Sequence, residues 1–143
     1  MAKVDPPPIY ENLADELTGK ATLPYILFFN HLASGDTGQT WIPSFNGLTA
    51  VGTPTISGTY YQFGSLVYYR IDIIPGTSTT SVSGTTYCNN FPLIFRGFGV
   101  CAAVTNAPSA ALGMVDSNTN RIYTPVWSAL TSKVTVVGIA EAS

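Results

Sequence analysis

The sequence predicts a mainly β protein with a short helical segment at its N-terminal end, and three observations carry that prediction. Of 143 residues only 10% are charged, against about 25% in an average soluble domain. Their place is taken by 18 Thr, 12 Ser, 8 Asn and 13 Gly, the vocabulary of strands and turns with neutral hydrogen-bonding surface. From Trp41 onward the apolar pattern moves towards period two, in short runs separated by Gly, Pro, Asn and Ser. The charge balance shifts at the same place. Residues 1–36 hold Asp5, Glu11, Asp15, Glu16 and Asp36 against Lys3 and Lys20, whereas the rest of the chain holds three acids and four bases. These shifts predict an N-terminal segment over 1–39 and a β domain over 40–143.

Taken in order, the first element follows the stiff Pro6-Pro7-Pro8 run. There Ile9, Leu13 and Leu17 recur at i, i+4 and i+8, and Gly19 is placed to close a short helix. A second helix begins near Pro24, since proline fits a first turn. Its residues Tyr25, Phe28, Phe29 and Leu32 form an apolar stripe, and Ile26 and Leu27 cover much of the remaining circumference. A helix apolar nearly all round must be buried on several sides, and packing against copies of itself supplies the cover. Tyr25, Phe28, Phe29 and Leu32 are therefore the expected docking or oligomer-interface residues. Strands follow at 48–51 and 55–63, with a break expected at Gly58. The clearest is 66–73, where Val67, Tyr69, Ile71 and Ile73 share one face while Tyr68, Arg70 and Asp72 share the other. Pro75-Gly76 ends it. Residues 77–86 have eight Ser or Thr in ten positions and predict a weak edge strand or an exposed loop. Further strands are expected at 98–105, 111–115, 121–124 and 133–140, with a turn at Asp116-Ser117-Asn118. Seven or eight short strands at this spacing predict a sandwich or barrel.

Several functions are disfavoured. A net charge of −2 gives no footprint for nucleic acid or anionic lipid. The long uncharged stretch 37–69 is interrupted by Gly, Pro, Ser, Thr and Asn, so no membrane insertion is expected. The N-terminal octet lacks the apolar run of a secretory leader, which predicts a chain made and folded in a cytoplasm. Cys88 and Cys101 are too few for a disulfide scaffold or a zinc site and are read as small core residues. His31 is the single histidine, and Asp15-Glu16 is most simply a solvated helix face. No catalytic, metal or cofactor residue is assigned; Asp72 and Asp116 are the carboxylates to test if glycan cleavage were present. Gly97-Phe98-Gly99-Val100-Cys101-Ala102 satisfies a dinucleotide-binding spacing, but that mechanism needs a helix after the glycines and the following residues read as strand. Tyr60, Tyr61, Tyr68, Tyr69, Tyr87 and Trp127, with Asn89 and Asn90, offer stacking surfaces and amides to a sugar, or else pack between sheets or subunits.

The segment Trp41-Ile42-Pro43-Ser44-Phe45-Asn46-Gly47-Leu48, followed by Gly52-Thr53-Pro54, Ser57-Gly58-Thr59-Tyr60-Tyr61 and Gly64-Ser65-Leu66-Val67-Tyr68-Tyr69-Arg70-Ile71, resembles a β-rich module of small tailed-bacteriophage virion proteins and of phage fibre ends. The run from Pro24 to Leu32 is similar to the short segment that precedes such modules in podophage proteins. The resemblance covers about residues 22–72, with a weaker part at Thr124-Pro125-Val126-Trp127. It implies a homotrimeric virion structural protein assembled in the host cytoplasm, with a jelly-roll-like antiparallel β-sandwich knob on an N-terminal helical attachment. Its implied partners are further copies of itself, other phage capsid or tail proteins, and a host surface glycan met by loops at 75–86 and 105–110. A head- or tail-fibre-type appendage is the expected role; the alternative is a capsid decoration protein that stabilises the shell. The pattern departs from a full fibre in having no long shaft, and no receptor-binding residue carries over.

Overall fold

The computed structural model describes residues 38–105 and 112–143. The chain divides between Gly38 and Gln39. The expected N-terminal helices, and with them Tyr25, Phe28, Phe29 and Leu32, lie outside the described residues. From Gln39 the chain is mainly β, all its pairings are antiparallel, and no helix occurs among the described residues.

The strands are β1 (Gln39–Trp41), β2 (Phe45–Asn46), β3 (Thr49–Val51), β4 (Thr55–Phe63), β5 (Leu66–Ile74), β6 (Ser78–Ser81), β7 (Tyr87–Cys88), β8 (Gly99–Val104), β9 (Leu112–Asp116), β10 (Arg121–Tyr123), β11 (Trp127–Leu130) and β12 (Val134–Glu141). Nine form one sheet in the order β1-β4-β5-β12-β8-β9-β10-β7-β2, and β11-β6-β3 form a second. The β4–β5 hairpin turns through Gly64, whose φ of 62° suits a tight reversal. The inward row of β5 is Val67, Tyr69, Ile71 and Ile73, all fully buried, as its alternation predicts.

The ends of the large sheet are joined by three residues. β1 and β2 occupy its opposite edges, yet only residues 42–44 separate them in sequence. Laid flat, nine strands would hold those edges about 38 Å apart. Four Cα steps from Trp41 to Phe45 reach at most about 14 Å. The sheet is therefore curled nearly onto itself, and such a curl fits a β-sandwich. Asn90 pins the closure, accepting from the Ser44 amide at 2.8 Å and donating to the Ile42 carbonyl at 2.9 Å. Inside the curl Phe91 stacks on Phe95 and meets Trp41, Tyr60 and Tyr69 edge-on or tilted, with centroids 4.8–5.8 Å apart across the group.

Two expectations are corrected. β4 runs unbroken through Gly58, because the Trp41 indole lies where a side chain would stand and the missing Cβ makes room for it. The hydroxyl-rich stretch 77–86 divides: residues 82–85 are exposed around a turn, as the loop alternative expects, while 78–81 form a strand that is not at an edge. β6 is the central strand of the three-stranded sheet, with Thr79 and Ser81 buried, and Thr86 is buried beyond it. Its hydroxyls replace hydrophobic packing with a bonded seam. Ser81 donates to the Pro125 carbonyl at 2.6 Å and sits 2.7 Å from the Thr124 hydroxyl. Thr86 donates to the Gly47 carbonyl at 2.9 Å, and the Trp127 indole N–H donates to Thr79 at 3.1 Å.

Candidate functional site

The strand alternation that buries one face of the nine-stranded sheet sets the residues of the other. Following the register across it, Tyr61 stands beside Tyr68, then Ile139, Val100, Met114, Tyr123, Tyr87 and Asn46. This outer row crosses eight strands, and seven of its eight side chains are Tyr, Ile, Val or Met, with Asn46 the polar exception. A second row beside it holds Arg70, Val137, Ala102 and Leu112. Val100, Leu112 and Ile139 are 63%, 72% and 49% exposed. Between them runs an apolar groove of about 230 Å³ floored by Tyr68, Val137 and Ala102. A water-facing antiparallel sheet ordinarily alternates apolar-in and polar-out; β8 (GVCAAV) is apolar on both faces.

The row changes character along its length. At the β10–β7–β2 end the Arg121 guanidinium lies 4.2 Å from the Tyr87 ring centroid, and Tyr87 and Tyr123 are 5.4 Å apart. The Asn46 amide donates to the Tyr87 hydroxyl at 3.1 Å. Next to this end a cleft of about 420 Å³ opens between Ser83, Gly84, Met114, Tyr123 and Thr124. At the border beyond Arg70, Asp72 receives the Thr135 hydroxyl at 2.7 Å, Arg70 Nε at 3.1 Å and Lys133 Nζ at 3.2 Å. Burial pushes the Asp72 carboxyl up, but these donors outweigh it and hold it below the ordinary carboxylate range. Directly beneath the apolar row, burial pushes the Cys101 thiol up to about 11. The Tyr69 hydroxyl is raised well above its usual range by burial and by Cys101.

The sugar-stacking set separates into two groups. Tyr60, Tyr69 and Trp127 are core residues, whereas Tyr61, Tyr68 and Tyr87 stand on the outer row. Asn90 is a clamp on the sheet closure. Asp116 accepts from the Asn118 amide at 2.9 Å and the Thr119 hydroxyl at 2.8 Å, shaping its own turn. Gly99–Val104 is strand β8, so the glycine pattern there does not open a helix. Cys88 and Cys101 are both buried and free. His31, Asp15 and Glu16 lie outside the described residues, as do residues 106–110 of the second expected loop. Among the described residues no three His, Cys, Asp or Glu side chains gather as metal ligands, and no helix is long and apolar enough to cross a membrane.

Sequence reasoning missed Val100, Leu112, Met114 and Ile139 as surface-forming residues. The signal was present in β8, whose apolar residues occupy both strand parities. The fold and this surface define an antiparallel β module with one unusually apolar outer sheet face. No protein-family model, curated protein or solved structure matches the chain significantly.

Proposed function

We propose that the chain is a bacteriophage virion structural protein, a short head- or tail-fibre-type appendage. Its N-terminal segment docks on the virion and its jelly-roll-like β knob is presented for contact with a host surface glycan. The sequence resemblance over residues 22–72 supplies the class. The observation that carries the reading is the apolar outer row of the nine-stranded sheet, which suits a chain that works inside an assembly. A hydroxyl-rich surface of low charge suits a particle exposed to varied ionic conditions, since its contacts depend little on screening. The second reading lays the same apolar face on capsid subunits, making the chain a decoration protein that stabilises the shell.

Virions assembled without the chain test both readings. Reduced adsorption to host cells with unchanged heat resistance is the expected result. Normal adsorption with shells that rupture at lower temperature establishes the decoration role instead. Particles altered in neither property refute a virion role of either kind.

A further inference from the structure

We propose that the cleft between the 82–86 turn and the β9–β10 edge is a saccharide-binding site whose ligand is a terminal neutral hexose or N-acetylhexosamine. Its biological role rests on the host-contact reading above, and its chemistry on the cleft alone. The opening arises where the chain changes sheets. β10 pairs with β9 only as far as Tyr123 opposite Met114, while β9 reaches back to Leu112. Just past that pair the Thr124 amide donates to the Thr86 carbonyl at 3.1 Å, and Pro125 has no amide to extend the ladder. The chain then crosses into β11 of the second sheet, a corner that leaves the Leu112 end of β9 without its β10 neighbour. Gly113 lies against the Tyr123 carbonyl with no room for a Cβ, so the crossing strand passes close under β9. The facing wall is a turn fixed by four hydrogen bonds. The Val82 amide donates to the Thr86 hydroxyl at 2.9 Å, the Thr86 and Thr85 amides donate to the Val82 carbonyl at 3.0 and 3.2 Å, and the Thr85 hydroxyl donates to the Ser83 carbonyl at 3.2 Å. The result is a cleft of about 420 Å³, within the range of about 300–1,000 Å³ of small-molecule sites.

The lining selects the ligand class. Among its described residues there is no carboxylate, ammonium or guanidinium, so an ion entering the cleft would lose water without gaining a counter-charge. One wall carries the exposed apolar side chains of Leu112 and Met114. The other carries Ser83, an exposed residue whose hydroxyl has no protein partner among the described residues. Tyr123 lies between them and is braced from its far side. Its hydroxyl accepts from Arg121 at 3.4 Å, its ring stands 5.4 Å from that of Tyr87, and the Arg121 guanidinium lies 4.2 Å from the Tyr87 centroid. Arg121 is thus engaged with the two tyrosines, and Asp116 stands opposite it in register. A ring held in this way loses little freedom when a ligand binds. A neutral sugar matches both walls, because its C–H face lies on aromatic or aliphatic surface while its hydroxyl edge meets a hydroxyl. The neighbouring groove over Val137 and Ala102 lacks this mixture, since its lining is aliphatic apart from Tyr68 and Cys101.

Methyl NMR of the full chain tests the site directly, because Met114 borders the cleft and Met1 is the only other methionine. The probes are the methyl glycosides of glucose, galactose, mannose, N-acetylglucosamine and N-acetylgalactosamine, with N-acetylneuraminic acid as the charged comparison. A saturable shift of the Met114 methyl with at least one neutral probe is expected, in the millimolar range of small ligands, while Met1 stays in place. Tyr123→Ser should weaken that binding roughly tenfold by removing the ring. Gly84→Asn should weaken it by a similar factor. Asparagine tolerates the φ of 69° there, and its side chain enters open space at the cleft wall. Tyr61→Ser, at the far end of the outer row, should leave binding unchanged. Thermal melts of each variant separate lost binding from lost folding. No Met114 shift with any neutral probe overturns the proposal, as does a shift that survives both cleft substitutions or is lost in Tyr61→Ser. A shift with the anionic probe alone overturns the neutral class. Virions carrying Gly84→Asn should adsorb poorly. If they adsorb normally while virions lacking the chain do not, the host-contact role stands and the cleft is removed from it. Normal adsorption without the chain removes that role, and the NMR result still decides whether the cleft binds sugar.

Discussion

At Asp72 three donors converge on one partly buried carboxylate, and their combined effect exceeds the cost of its burial. Because its folded pKa is depressed, its contribution is present above the ordinary carboxyl value of about 3.9 and is lost as pH falls through the folded value. Asp72→Asn should cost about 0.5–1 kcal/mol at neutral pH, the scale of a partly exposed ion-pair network. It should also flatten the loss of stability below about pH 4. Urea midpoints of both proteins at pH 7 and pH 3 check the pair of outcomes. The thiol of Cys101 works in the opposite direction. Its folded pKa is raised from 9.0 to about 11, so the unfolded chain releases this proton first and stability is lost as pH rises through that window. Chemical denaturation at pH 8 and pH 10.5 should show the fall, and Cys101→Ala should lessen it. Tyr69 carries a buried hydroxyl that lacks a well-formed hydrogen bond and sits beside the Cys101 thiol, a weak partner. Tyr69→Phe should be neutral or stabilising by up to about 1 kcal/mol, read as an unchanged or higher Tm.

In β6 the backbone strand is ordinary, and its side chains make the difference between a loop and a central strand. Thr79 accepts the Trp127 indole N–H inside the fold. Thr79→Val keeps the shape and removes the acceptor, leaving a buried donor unpaired, a loss of about 1–3 kcal/mol. Thermal unfolding of Thr79→Val beside Thr79→Ser, which restores the hydroxyl, separates the hydrogen bond from packing. In β12, Gly138 leaves the space that the Tyr69 ring fills. Gly138→Ala should cost about 1–3 kcal/mol through overpacking, despite the better strand propensity of a residue with a side chain; the Tm of the purified variant checks it. β5 and β12 were legible from alternation because their inward rows are purely apolar. β6 was not, because Thr and Ser serve equally well in exposed loops and in bonded interiors. β2 and β7, two residues each, are too short to show any period.

Across the whole β unit, the closure between β1 and β2 converts a ladder of local hairpins into an enclosed core. Asn90 ties the strand edges to the 42–44 connection by two hydrogen bonds. Asn90→Ala should therefore lower stability by about 1–3 kcal/mol and raise hydrogen exchange at Trp41 and Phe45 before it does so in β5 and β12, which mass-resolved exchange would read. By itself the sequence determined the class of this unit, its longest hairpin, the inward row of β5 and the change of character near residue 40. Those follow from composition and from contacts between residues close along the chain. Only the tertiary structure decided which strands neighbour one another, that β4 passes under Trp41 at Gly58, and that hydroxyls fill the second sheet. It alone also brought Tyr61, Tyr68, Ile139, Val100, Met114, Tyr123 and Tyr87 into one outer row. The physical reason is that strand order and register join residues tens of positions apart. Local periodicity records which way a side chain points, and leaves open what it will stand beside.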